Sequence, residues 1–385
     1  MIKRFIKVVL HEWKLFFTDP AAVLLLVLAG VFYSVYYPLP YVKQLAEKIP
    51  VAIVDQDQSV LSRQITRMSN ASQQLQVAYV YGDASEAEKA MAEEKIYGFM
   101  VVPKGMERQA RRGESSGLGV YTHGAYVMLH GAIGNAFATV AATASANLKV
   151  QKIATTHKLP IKKAMAARDP FPLRVQNMFN GTTGYANYVV PSVLMLILQQ
   201  TLLIGICTLG GSRKQRSFLS SEKRFSVVEN ESLMYRYFGR FTAYFLHYCL
   251  FLSFYHAVIY QVFDFPRRGA AGPMILFAVL FFSATIHLGM SISLLFKRRE
   301  SSLQVFLFFS IPLLFLSGFS WPHSAMPQWI QYISYLFPST FAIPAWTAIE
   351  QMGAGVAEIA GYLCGLTVQM ILYLSIGLFW TYKRR

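Results

Sequence analysis

The sequence predicts an α-helical membrane protein of six transmembrane helices. An interfacial elbow helix precedes the first, and an α/β domain is inserted outside the membrane between the first two. Three observations carry this expectation. Apolar runs of roughly 20 residues, the length that crosses a hydrocarbon core of about 30 Å, recur at about 21–40, 186–210, 238–262, 272–296, 302–320 and 359–381. Between the first two lie about 140 residues that alternate and punctuate like a water-soluble fold. Basic residues gather at alternate ends of the runs: Lys3, Arg4, Lys7 and Lys14; then Arg213, Lys214, Arg216, Lys223 and Arg224; then Lys297, Arg298 and Arg299; then Lys383, Arg384 and Arg385. Such clusters stay in the cytoplasm, so both termini are expected inside. The stretch 320–361 holds no Lys or Arg, and Arg267 with Arg268 alone opposes the rule.

Composition agrees. With 54% hydrophobic and 15% charged residues and a mean hydropathy of +0.36, a water-soluble chain would need a very large core to hide its apolar surface. The net charge of +16 fits basic loops facing anionic headgroups, and its distribution argues against nucleic acid as a partner. The first apolar run lacks a small-residue cleavage pattern before Tyr41, so it is expected to stay as an anchor. Cys207, Cys249 and Cys364 all fall in expected spans, which implies no disulfide framework in the outer domain.

Residues 1–20 form the expected cytoplasmic elbow, with Phe5, Val8, Val9, Trp13, Phe16 and Phe17 on one side and Lys3, Lys7, His11 and Lys14 on the other. Asp19-Pro20 ends it and opens the first span, 21–40, because an acid favours and Pro tolerates a helix start. The outer domain, 41–180, begins with a strand at Ile49 to Asp55. Ser59 is placed to cap a helix from Val60 to Met68. A strand from Gln76 to Tyr81, an acidic helix from Ala84 to Glu94, a strand from Tyr97 to Val102, a short helix from Met106 to Arg112 and a strand from Leu118 to Tyr121 follow. Their alternation points to a small α/β fold. Small residues from about Gly124 to Lys163 predict one long helix, broken before the second span by Pro170-Phe171-Pro172. Residues 181–385 form the transmembrane domain, with a re-entrant hairpin at 318–345 whose corners are Gly318, Pro322, Pro327 and Pro338 and whose interfacial aromatics are Trp321 and Trp329.

Little in the chain suggests catalysis. No phosphate-binding glycine loop occurs, so ATP is not held here by the usual cradle of backbone amides. The histidines show no metal-ligand spacing, His123 and His130 being the nearest pair. Asp55, Asp57 and Ser59 read as turn and cap residues rather than as a nucleophile with its base. His247, His256 and His287 fall at membrane depth, where an ionisable group points to a transport path or to a tyrosine partner such as Tyr244, Tyr248, Tyr255 or Tyr260.

The most specific segment is Ser317-Gly318-Phe319-Ser320-Trp321-Pro322, followed by Met326-Pro327-Gln328-Trp329 and Phe337-Pro338-Ser339-Thr340. It resembles the C-terminal signature of ABC transporter type-2 permeases. The likeness extends to Asp19-Pro20, to the strand Val51 to Asp55 with Asp57 and Ser59, to Pro103-Lys104-Gly105-Met106-Glu107 and to Tyr188-Val189-Val190-Pro191. It is greatest for the export subgroup with a large periplasmic domain between spans one and two. The resemblance implies a permease subunit of an ATP-driven exporter in the cell inner membrane. It also implies ATP on separate ABC ATPase subunits, no cofactor in this chain, a second permease copy as homodimer or heterodimer, and a periplasmic membrane-fusion adaptor. ATPase coupling is expected through the elbow with Lys14 and through Arg213, Lys214 and Arg216. An outer gate is expected in the hairpin, with Gly318, Trp321, Pro322, Met326, Pro327, Trp329 and Pro338. The chain departs from the family where an acidic Glu-x-Gly-Thr segment usually follows span two, since Gly211-Ser212-Arg213-Lys214-Gln215-Arg216 stands there. The expected cargo is an amphipathic, drug-like or lipid-like molecule. Two rivals are a ligand-sensing membrane receptor, disfavoured by cytoplasmic loops too short for an output domain, and a proton-coupled secondary transporter, disfavoured by the lack of an inverted repeat.

Overall fold

Asp19 and Pro20 set the first boundary in the computed structural model, which describes residues 2–43, 46–169, 178–180, 184–219 and 231–383, without the side chains of 216–219. The chain divides into two units, Met1–Val42 with Asn177–Arg385, and Lys43–Gln176. The expected break at Pro170-Phe171-Pro172, the basic residues Lys223, Arg224, Arg384 and Arg385, and the side chain of Arg216 lie outside the described residues.

In the larger unit, helix α1 (Ile2–Thr18) is followed by the apolar helix α2 (Pro20–Tyr41). The Asp19 carboxylate accepts from the free Ala21 and Ala22 amides at the start of α2, as an N-cap does. The buried stripe of α1 is Val8, Glu12 and Phe16, one residue per turn. Phe17, expected on the apolar side, is 59% exposed, away from the buried stripe.

The smaller unit holds β1 (Ile49–Asp55), α3 (Val60–Ala71), β2 (Leu75–Tyr81), α4 (Ala84–Ala92), β3 (Gly98–Val102), α5 (Met106–Arg112) and β4 (Gly119–Thr122), then α6 (Val127–Thr156) and α7 (Ile161–Arg168). The sheet order is β2-β1-β3-β4, with β1 parallel to β2 and β3 and with β4 antiparallel to β3. Alternate residues of β1 face opposite ways. Ile49, Val51 and Ile53 join Leu61, Ile65, Phe137 and Val140 in one core, while Ala52 and Val54 join Ala87, Ala90 and Phe99 in another. Asp55 accepts from the Gln58 amide at 2.8 Å and the Ser62 hydroxyl at 2.7 Å. Asp57 accepts from the Gly105 amide at 2.6 Å, and Ser59 caps α3. Burial would raise the Asp57 carboxyl, but hydrogen bonds from the Ser59 hydroxyl and from the Glu107, Gly105 and Met106 amides hold it below its ordinary value. The single long helix expected to Lys163 is in fact two. Proline lacks an amide hydrogen and disfavours helix in the residue before it, and the break spans 157–160, ending at Pro160.

Returning to the larger unit, the chain forms α8 (Tyr185–Leu219), α9 (Leu233–Val262), α10 (Ala271–Ser293), α11 (Arg299–Leu316), α12 (Gln328–Ser334), α13 (Ser339–Thr347) and α14 (Ala360–Lys383). Among the described residues seven helices are long and apolar enough to cross a membrane: α2, α6, α8, α9, α10, α11 and α14. Helix α8 is the hub and packs on α2, α10, α11 and α13, while α1 packs on α9. Gly210 and Gly211 lie inside α8 rather than stopping it. A Cβ on Gly211 would approach the Arg298 backbone to 2.8 Å, so glycine here permits close helix approach.

Candidate functional site

Glu12, a residue that helical periodicity puts on the buried face of α1, is 2% exposed and needs partners, because a lone charge there would be costly. It finds them about 200 residues away. The Arg213 guanidinium, on the last turns of α8, makes an ion pair with its carboxylate. From α9, the Tyr244 hydroxyl donates at 2.9 Å and Arg240 Nε stands at 3.8 Å. Phe16, one turn further along α1, packs with tilted rings against Tyr244 and His247 at centroid distances of 4.9 and 5.2 Å. Burial would raise the Glu12 carboxyl, yet the two guanidiniums and the tyrosine hydroxyl hold it below its ordinary value. One carboxylate therefore ties the elbow, the end of α8 and the start of α9 together.

The expected coupling residues are divided by this arrangement. Arg213 is turned onto Glu12, and Lys214 Nζ donates to the Leu294 carbonyl beyond α10, so both hold the bundle together. Lys14 is exposed. Glu12, Arg240 and Tyr244 were absent from the expected set. The signal for Glu12 was its i+4 spacing between Val8 and Phe16, but nothing local shows its distant partners.

The expected hairpin begins where α11 ends at Leu316. Gly318 takes φ +77°, the left-handed region that favours glycine. The nearest atom to a Cβ there is His323 Cβ at 3.6 Å, so conformation, not space, restricts this residue. A short turn His323–Ala325 precedes α12, and Pro338 leads into α13. Trp321 and Trp329 are 58% and 65% exposed; Met326 is half-buried, Pro322 and Pro327 exposed and Pro338 buried. Flanking helices bond the irregular backbone. Tyr188 donates to the Phe319 carbonyl at 2.8 Å, Gln369 to Tyr335 at 2.7 Å and Tyr373 to Leu336 at 2.6 Å. Gln199 Oε1 accepts from the Ser339 amide at 2.6 Å. Backbone away from a regular helix is tolerated at membrane depth only with such partners. A cavity of about 450 Å³ lies inside the hairpin, lined by Tyr188, Phe319, His323, Tyr335 and Phe341 among others.

The three span histidines take different roles. His247 Nε2 pairs with the Leu26 carbonyl at 2.9 Å, and His287 Nδ1 with the Tyr237 hydroxyl at 3.0 Å. His256 Nδ1 lies 3.3 Å from the Glu350 carboxylate, which is fully buried and makes no side-chain hydrogen bond. Both residues sit on π-helical turns, Tyr255–Ile259 and Ala348–Met352, an irregularity frequent at functional positions.

The family model described as ABC-2 family transporter protein matches residues 21–379. The chain is also similar to the linearmycin resistance permease protein LnrN of Bacillus subtilis (strain 168), at 22% identity over 338 residues, covering 83% of this chain and 84% of the relative. A helix α1 packed on a bundle of long apolar helices agrees with that match. The chain belongs to the ABC-2 family of transporter proteins and is a multi-pass membrane permease subunit, with ATP hydrolysis carried by a separate ABC ATPase chain.

Proposed function

We propose that this permease exports an amphipathic, drug-like or lipid-like substrate from the cytoplasm or inner membrane, paired with a second permease copy, two ATPase subunits and a periplasmic adaptor. The observation that carries the reading is the Glu12 cluster. A push on the elbow is delivered at once to α8 and α9, because both hold the same buried carboxylate. Lys14, exposed on α1, is then a docking contact, while Arg213 and Lys214 transmit movement. The resistance named for the relative supports outward transport. Reconstituted with its ATPase, the protein should move an amphipathic fluorophore only with ATP. Transport driven by a proton gradient without ATP would instead favour the secondary-transporter reading, for which the His256–Glu350 pair is the supporting observation.

Six of the apolar helices act as spans in this reading, with both termini cytoplasmic. Helix α6 is the exception, since Ile133, Phe137 and Val140 pack against the sheet of its own unit. Cysteine labelling from outside should reach Ser85→Cys and Ser324→Cys, and only labelling from inside should reach Ser217→Cys. External labelling at 217 would overturn the arrangement.

The hairpin is the outer gate in the same reading: Pro322, Pro327 and Pro338 fix its corners, so it moves as a unit. Gly318→Val should cost about 1–3 kcal/mol through forced left-handed backbone and lower transport per folded molecule, as should Trp321→Ala. Normal transport per inserted molecule in both variants would remove the gate assignment.

A further inference from the structure

Beside the Glu12 cluster lies a second cavity, of about 120 Å³, lined by Arg213, Arg236, Arg240, Tyr237, Ser293 and Thr381 among others. No described acidic residue lines it. Of the three guanidiniums, Arg213 is taken up by Glu12. The Nε atoms of Arg236 and Arg240 are buried without a hydrogen-bond partner, although Arg240 Nε stands at 3.8 Å from Glu12 Oε2. Three cations against one carboxylate leave an excess of two positive charges around a partly enclosed space. Buried donors of this kind ordinarily have partners, and a fixed guanidinium fork matches an oxyanion.

We propose that this cavity holds the phosphate of a phospholipid headgroup. Volume selects the class of group: the space exceeds the roughly 30 Å³ of one water but falls well below the roughly 300 Å³ at which drug-sized pockets begin. Depth selects the source. Arg236 and Arg240 lie in the first turns of the apolar helix that begins at Leu233, and Arg213 lies at the end of the one that runs to Gln215. That is where apolar helices meet water and where phosphodiesters of the bilayer stand. Tyr237 and Thr381 add hydroxyls, and Ile206, Leu233 and Met290 line the remainder as apolar surface. The bound headgroup would brace the same junction that carries the coupling reading, but its binding does not depend on that reading.

The test uses the full chain purified in detergent, without ATP or ATPase, so it can fail independently of the transport assay. Phosphatidylglycerol retention is read by native mass spectrometry and by the shift in thermal midpoint, beside diacylglycerol, which lacks the phosphate, and inorganic phosphate alone. Phosphatidylglycerol should be retained and stabilising, diacylglycerol should not, and millimolar phosphate should fail to displace the lipid. Arg236→Gln should weaken retention about tenfold, equal to about 1.4 kcal/mol, with Arg236→Lys intermediate as a check that charge and fork geometry both count. Equal retention of diacylglycerol, unchanged retention in Arg236→Gln, or occupation by inorganic phosphate with no lipid retained would each overturn the proposal.

Discussion

Glu12→Ala is expected to cost about 3–5 kcal/mol, the range for removing one member of a buried ion pair and leaving the other uncompensated. Here two guanidiniums are left behind, Arg213 and Arg240, with a tyrosine hydroxyl. Thermal unfolding in detergent should show the loss, and the elbow should become protease-sensitive before the rest of the bundle does. Glu12→Gln should lose less, since the amide oxygen still accepts from Tyr244. The pH dependence has a definite sign. Because the folded carboxyl is held below its ordinary value, its contribution is present above the usual 4.5 and disappears as pH falls through the lower folded value. An elbow as resistant to protease in Glu12→Ala as in the parent would refute the clamp.

Glu350 should behave in the opposite sense. Burial pushes its carboxyl up to about 7, with Arg267 opposing. Facing it are His256 at 3.3 Å, Arg268, whose backbone amide donates to the Glu350 carbonyl, and Tyr260, close enough to be influenced by its charge. A folded state that takes up a proton before the unfolded one is most stable below about 4.5 and loses that advantage as pH rises to about 7. The full effect is on the order of 3 kcal/mol. Glu350→Gln should therefore raise stability at pH 8, change little near pH 4.5 and flatten the profile between. A parallel profile in both proteins would show that another group titrates.

How far these features can be read from sequence depends on whether their causes are local. Strand β1 is legible at Ile49 to Asp55 because alternation and a terminal acid lie within seven residues. The caps at Asp19 and Ser59 are legible because each serves amides within three positions. The left-handed turn at Gly318 follows from the need to reverse the chain after α11. By contrast, nothing local gives the role of Gly210-Gly211, and only contact with Ser293 and Arg298 reveals it as a packing surface. The π turns leave no local mark, and Glu350 lies in a stretch noted for lacking cations rather than for its acid. Arg213 and Lys214 are legible as part of a basic cluster after the second apolar run, but their inward direction is not, since Glu12 and Leu294 are brought to them by the bundle.

The ion pair between Glu12 and Arg213 joins residues 201 positions apart, and that separation sets an order of events during synthesis. At roughly 5–20 residues per second, the carboxylate waits about 10–40 s for its first cation, resting meanwhile in the wet headgroup layer. Arg240 and Tyr244 arrive next, so the elbow cannot seat until α9 is being made. A nascent chain halted before that point carries an undocked amphipathic helix, a distinct handle by which a membrane protease would tell an unfinished permease from a finished one.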